Sequence, residues 1–89
     1  MQIRMLDEVV DLGPFGVMLM AYEEDAAGLK EGVLLQDARG GLHRVEQVEK
    51  QDDLLMLHIP EGTAEYFERL FRNITVDACL FFVKEEPCR

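Results

Sequence analysis

The sequence predicts a mainly β fold, a small six-stranded antiparallel barrel of Greek-key type with one short α-helix near residues 63–73. Three observations carry this prediction. Short apolar runs with strand character are separated by turn residues, Gly40 and Gly41 lie side by side between two of these runs, and one segment has helical periodicity. Short turns of this kind join antiparallel strands, whereas parallel strands need long crossovers. Closure into a barrel would remove exposed strand edges.

The strand assignments rest on apolar patterning and on the residues that interrupt it. The runs with strand character cover residues 3–10, 15–22, 33–39, 42–49, 54–59 and 74–84. The first alternates loosely between apolar and polar side chains, as a half-buried strand does. The second is almost entirely apolar, which indicates a strand buried on both faces or one that closes a barrel, and Gly16 within it indicates a bend. Gly40 and Gly41 predict a hairpin with a type I′ turn, because that turn needs positive φ at both central positions.

The predicted helix has both a start signal and an apolar stripe. Thr63 precedes it as an N-cap, whose hydroxyl accepts a hydrogen bond from a backbone N–H that has no helical partner. The apolar side chains recur at helical spacing and are Tyr66, Phe67, Leu70, Phe71 and Ile74. A stripe of this kind packs against a core.

Composition predicts one domain over residues 1–84, followed by an acidic tail at 85–89. Nine Lys and Arg against eighteen Asp and Glu give a net charge of -9, which opposes binding to nucleic acid phosphates. Two cysteines do not make the dense framework of small secreted domains, and the chain begins without a signal-peptide pattern. No apolar run approaches the roughly 20 residues that cross a bilayer. We therefore expect a cytoplasmic protein that does not enter a membrane.

The order of glycine and apolar patterns adds a family resemblance. Residues 13–17 (GPFGV) open the second strand, residues 28–33 (GLKEGV) form a turn into the third, and the Gly40–Gly41 hairpin follows. Over residues 3–59 this order resembles the β-barrel that follows the GTPase domain in translation elongation and initiation factors. The resemblance implies the barrel fold and no binding residue. The chain departs from that family at Val33, where the family has Asp, and in having no G-x-x-x-x-G-K-[ST] phosphate loop.

Four residues belong to the types that bind zinc: His43, His58, Asp77 and Cys79. Their spacing matches no short-range ligand motif. Each therefore has a second interpretation, with the histidines structural or solvent-facing, Asp77 on the outer face of the last strand, and Cys79 a small buried hydrophobe. No metal or cofactor is assigned, and a small metal-dependent protein or enzyme that uses these four residues is the alternative function.

Phe81 and Phe82 place large apolar side chains on both faces of the last strand. The core takes one face, so the helix covers the other or it forms a patch for a partner. Together with the acidic composition, this favours a non-enzymatic interaction module that binds a protein or a cationic surface. Self-association into a homo-oligomer through the same patch is a further hypothesis.

Overall fold

The computed structural model describes residues 2–26, 28–72 and 79–85. Its strands are β1 (Gln2–Arg4), β2 (Val9–Asp11), β3 (Val17–Tyr22), β4 (Leu34–Gln36), β5 (Leu42–Arg44), β6 (Gln47–Gln51), β7 (Leu54–Ile59) and β8 (Leu80–Glu85). The helix α1 is Ala64–Arg72, and two 3₁₀ turns cover Gly13–Phe15 and Glu23–Asp25. All strand pairs within the two four-stranded sheets are antiparallel, with the orders β1-β8-β4-β5 and β2-β3-β7-β6.

The mainly β class is confirmed, but the predicted closed barrel of six strands is not. The first predicted strand is divided into β1 and β2, and the fourth into β5 and β6, so each contributes to both sheets. At the second division, the Val45 N–H donates to the Val33 carbonyl at 2.9 Å, while the next N–H, of Glu46, donates to the His58 carbonyl at 2.8 Å. The chain bends there because its two halves pair with different sheets that share one core.

The core lies between the sheets and is filled by alternate side chains of the long strands. In β3, Val17, Leu19 and Ala21 are buried, as the two-residue period of a strand requires. The helix adds Phe67, whose ring centroid lies 6.4 Å from that of buried Phe81 in β8. Burial of each large apolar side chain stabilises the fold by about 1.5–3 kcal/mol.

The predicted hairpin between β4 and β5 is confirmed, but its predicted turn type is wrong. Only Gly40 has a positive φ, of 89°, whereas Gly41 does not. The Asp37 N–H donates to the Gly41 carbonyl at 2.9 Å, and the Gly40 N–H donates back to the Asp37 carbonyl at 3.0 Å. Five residues, 37–41, therefore separate β4 from β5 instead of the two predicted, and Asp37 begins the turn instead of lying within the predicted strand 33–39. Asp favours this position because its carboxylate accepts from the turn backbone.

The helix prediction holds over α1, and Thr63 is its cap. The Thr63 Oγ1 accepts a hydrogen bond from the Tyr66 N–H at 3.3 Å. The predicted last residue of the helix, 73, lies outside the described residues, as do positions 74–78 of the last predicted strand. Residue 85 of the predicted tail belongs to β8, and residues 86–89 also lie outside the described part.

Candidate functional site

Asp37 is the only charged residue that is buried among those the structure describes, with 3% of its surface exposed. Its Oδ1 accepts hydrogen bonds from the Arg39 N–H at 2.8 Å and the Gly41 N–H at 3.0 Å. Its Oδ2 accepts from the Tyr66 hydroxyl at 2.6 Å and from His43 Nε2 at 2.7 Å. Burial of an unpaired carboxylate is costly, so these four donors make its position tolerable. The carboxylate connects the hairpin loop to α1.

The hydrogen bonds keep Asp37 ionised and Tyr66 neutral. Burial acts to raise the pKa of Asp37, but the hydrogen bonds from Tyr66, His43 and the two backbone N–H groups outweigh it, so the pKa lies below its usual 3.8. Burial, together with the hydrogen bond to Asp37 and its negative charge, raises the pKa of Tyr66 to about 12. At neutral pH the phenol is therefore a donor and the carboxylate an acceptor.

His43 lies between this carboxylate and a small cavity. Because ionised Asp37 can only accept, Nε2 carries the hydrogen in their contact. The ring centroid lies 4.7 Å from that of Phe67 and 5.5 Å from that of Tyr66, and the side chain is 11% exposed. Nδ1 forms no hydrogen bond with a described residue. Among the described residues every buried side-chain nitrogen or oxygen has a hydrogen-bond partner, so an Nδ1 without one is not buried. We conclude that Nδ1 reaches solvent, and His43 lines a cavity of about 260 Å³.

The zinc-binding residue types of the sequence prediction do not converge where they are described. His43 contacts Asp37, whereas His58 on β7 donates through Nε2 to the Phe15 carbonyl at 2.7 Å. The described residues contain no group of three or more His, Cys, Asp or Glu side chains that could hold a metal ion. Asp77 lies outside the described residues. His43 is also less exposed than a solvent-facing histidine, because Tyr66 and Phe67 cover its ring.

Cys79 is half-buried and free. Burial raises the pKa of its thiol, the negative charge of Asp7 raises it further, and Arg4 acts in the opposite direction. A raised pKa leaves less of the nucleophilic thiolate at neutral pH. This environment matches the interpretation of Cys79 as a small apolar residue better than that of a nucleophile.

Phe81 and Phe82 face opposite sides of the first sheet. Phe81 is fully buried against α1, with its ring centroid 6.4 Å from that of Phe67. Phe82 is 45% exposed on the other side, where it pairs with Gln36 in the ladder. The helix thus covers the inner phenylalanine and leaves the outer one uncovered. Leu42, 54% exposed and paired with the same Gln36, extends this patch.

The second sheet has a larger outer apolar face, which the sequence analysis did not predict. Residues 15–22 were expected to be buried on both faces or to close a barrel, but the side chains of β3 alternate between buried and partly exposed. The outward-facing apolar residues of β2, β3 and β7 are Val10, Met18, Met20, Tyr22, Leu54 and Met56, which we call the outer apolar face. In the ladder Met18 pairs with Val10, Met20 with Met56, and Tyr22 with Leu54.

Carboxylates lie beside this face. Glu49 of β6 pairs with Met56, so its exposed side chain shares the outer side of the sheet. Glu46 Oε1 lies 3.6 Å from His58 Nδ1 at the same edge. Phe15 is 71% exposed and lies in the first 3₁₀ turn, and its backbone carbonyl accepts a hydrogen bond from His58. The face therefore combines an apolar centre with an acidic edge, and an exposed aromatic residue lies in the turn beside it.

Comparisons with models of protein families, with the curated proteins and with the solved structures found no match. The resemblance to the translation-factor barrel accordingly stays a prediction. Among the described residues, no helix is long and apolar enough to cross a membrane.

Proposed function

We propose that this protein is a non-enzymatic interaction module whose outer apolar face binds a protein partner with an apolar surface flanked by Lys or Arg. The observation that carries the proposal is the run of cross-strand apolar pairs on the solvent side of the second sheet, Val10 with Met18 and Met20 with Met56. Contiguous apolar surface of this kind is typical of interaction sites. Methionine side chains are flexible and polarisable, and adapt to partners of different shape.

Charge favours a basic partner over a second copy of this chain. The chain carries a net charge of -9, and Glu46 and Glu49 lie at the edge of the face. Two copies that met through this face would bring like charges together, which opposes association. A partner with Lys or Arg around an apolar centre would pair with the same carboxylates and be attracted at long range.

Phe15 is held in place before a partner arrives. His58 donates to its carbonyl at 2.7 Å, and the next residue, Gly16, has φ 94° and lies so close to Ile59 that a Cβ would come within 2.2 Å of its carbonyl oxygen. A fixed backbone lowers the entropy lost when the side chain enters a pocket of the partner. Exposed aromatic side chains of this kind often contribute most to binding.

The proposal is tested with protein labelled with ¹³C at the methionine methyl groups. The probe is a synthetic peptide of alternating Leu and Lys, and the matched control is a peptide of alternating Leu and Glu. We expect the Lys peptide to shift the signals of Met18, Met20 and Met56 in a salt-dependent manner, while Met5, 2% exposed in the core, stays unchanged. Equal binding of the Glu peptide, or an absence of shifts at the three outer methionines, would overturn the proposal.

A pair of variants separates this face from the patch on the other sheet. Phe15→Ala is expected to weaken the Lys peptide about tenfold, since an aromatic anchor contributes about 1–2 kcal/mol. Phe82→Ala removes an exposed phenylalanine from the first sheet and should leave the affinity unchanged. If Phe82→Ala weakens binding and Phe15→Ala does not, the patch at Phe82 is the binding surface. Sedimentation that shows a dimer dissociated by Phe15→Ala would instead assign the face to self-association.

The proposal retains the expectation of a cytoplasmic protein. The alternative, a metal-dependent protein or enzyme, receives no support from the described residues, because His43 and His58 have separate partners in different parts of the fold.

A further inference from the structure

The cavity beside His43 is lined by both polar and apolar residues. It lies between β5, the turn that precedes α1 and the first turn of the helix. Its polar residues are His43, Arg44, Glu61, Thr63 and Tyr66. Of its apolar residues, Leu42 is 54% exposed, whereas Ile59 and Phe67 are almost completely buried. Its volume of about 260 Å³ is slightly below the usual range for drug-sized ligands, roughly 300–1,000 Å³, and fits a smaller molecule. Polar groups that converge on a pocket fix the orientation of a ligand and give specificity.

The hydrogen bond behind His43 determines what the ring offers to this cavity. Asp37 accepts from Nε2 at 2.7 Å, so the neutral ring carries its hydrogen there and leaves the lone pair on Nδ1. A carboxylate behind an imidazole fixes its tautomer and the orientation of its ring. Nδ1, which reaches solvent, is therefore a hydrogen-bond acceptor. A ligand that binds to Nδ1 must therefore donate a hydrogen bond to it.

The charges around the cavity favour a cationic donor. Asp37 forms no ion pair with a lysine or arginine of the described part of the chain, and its neighbours are a phenol, an imidazole and two backbone N–H groups. Glu61 is a further carboxylate, at the wall of the cavity. Arg44 adds one positive charge to the wall, where its Nη1 donates to the Gly32 carbonyl at 2.9 Å, so the two carboxylates still leave the surroundings of the cavity with a net negative charge. The ring of Tyr66 adds an aromatic surface, which cations prefer.

We propose that this cavity binds a small molecule bearing a primary ammonium group, which donates to His43 Nδ1, lies near Glu61 and places its apolar part against Leu42. This ligand-binding site is separate from the outer apolar face, so an experiment can refute either proposal without refuting the other.

The test uses three ligands of one shape and different charge: benzylammonium, benzyl alcohol and benzoate. Two-dimensional ¹H–¹⁵N spectra of the imidazole first report the state of His43 in the free protein at pH 7.5. We expect hydrogen on Nε2 alone, and saturable shifts of the His43 signals with benzylammonium at a dissociation constant of about 1 mM or below. Hydrogen on Nδ1, no saturable shift, or binding of benzyl alcohol or benzoate as tight as that of benzylammonium would overturn the proposal.

Two glutamates near the start of α1 provide matched variants. Glu61→Gln keeps the shape of a cavity residue and removes its charge, so we expect benzylammonium to bind about twofold to fivefold more weakly. Glu65→Gln removes the same charge from a side chain that forms an ion pair with Arg69 at 2.8 Å and does not line the cavity. It should leave the affinity unchanged. An equal loss in both variants would mean that general surface charge, and not this cavity, attracts the ligand.

Discussion

Replacement of Tyr66 by Phe removes a single hydroxyl group from the Asp37 network. That hydroxyl donates to Asp37 Oδ2 at 2.6 Å, and its loss leaves a carboxylate with 3% of its residue surface exposed and three donors instead of four. Hydrogen bonds to charged groups contribute about 1.5–3 kcal/mol. We therefore expect the free energy of unfolding at pH 7 to fall by about 2 kcal/mol in Tyr66→Phe.

The same hydrogen bond predicts how the difference changes with pH. The pKa of Tyr66 is about 12 in the folded protein and 10.0 in the unfolded reference. A raised folded pKa contributes stability that is complete below pH 10 and is lost as the pH rises through 12. Two pKa units correspond to about 2.7 kcal/mol, close to the value expected from the hydrogen bond. At pH 11 about half of this 2.7 kcal/mol should be lost. The difference in unfolding free energy between the wild-type protein and Tyr66→Phe should therefore be about 1.4 kcal/mol smaller at pH 11 than at pH 7.

Two measurements test this reasoning. Urea unfolding of both proteins between pH 7 and 11 gives the difference in unfolding free energy. Absorbance at 295 nm, recorded on a Tyr22→Phe variant, follows the ionisation of Tyr66 alone, because the chain has two tyrosines. An apparent pKa of Tyr66 near 10.0, or a stability difference that stays constant from pH 7 to 11, would refute the hydrogen bond between Tyr66 and Asp37.

Three further predictions concern stability, each measured by urea unfolding. Thr63→Ala should lower the unfolding free energy by about 1 kcal/mol through loss of the helix cap, and Thr63→Ser should retain most of it. Gly16→Ala should destabilise far more than Gly13→Ala, because both glycines have positive φ but only at position 16 would a Cβ collide with the Ile59 carbonyl; equal effects would contradict this. Asp37→Asn should lose about 2 kcal/mol at pH 7 and less as the pH falls below 3.8, since a lowered folded pKa contributes stability that disappears in acid.

Local chemistry allowed the helix and the hairpin to be predicted from the sequence. Thr63 and the helical spacing of Phe67 and Leu70 specify a helix start and a buried stripe within a few residues of each other. The two glycines likewise predict a hairpin, although Asp37 changes its turn. An Asp three residues before Gly40 was a recognisable turn signal, but the apolar run that precedes it led to its assignment to a strand.

The candidate sites depend on contacts between residues far apart in the chain. Asp37 and Tyr66 are 29 positions apart, so no local pattern pairs them. The outer apolar face has a similar origin, because residues apolar on both sides of a strand are consistent with two buried faces as well as with one exposed face.

The sequence alone thus specifies the class of fold, the helix and the hairpin, which arise from neighbouring residues, and the acidic character of the protein, which arises from composition. Which apolar side of β3 faces solvent, and which donors surround Asp37, depends on how two sheets and a helix pack around one core. Packing determines these features because a strand has two sides and the core covers one, and because the donors that a buried carboxylate needs come here from the hairpin loop, β5 and α1 together.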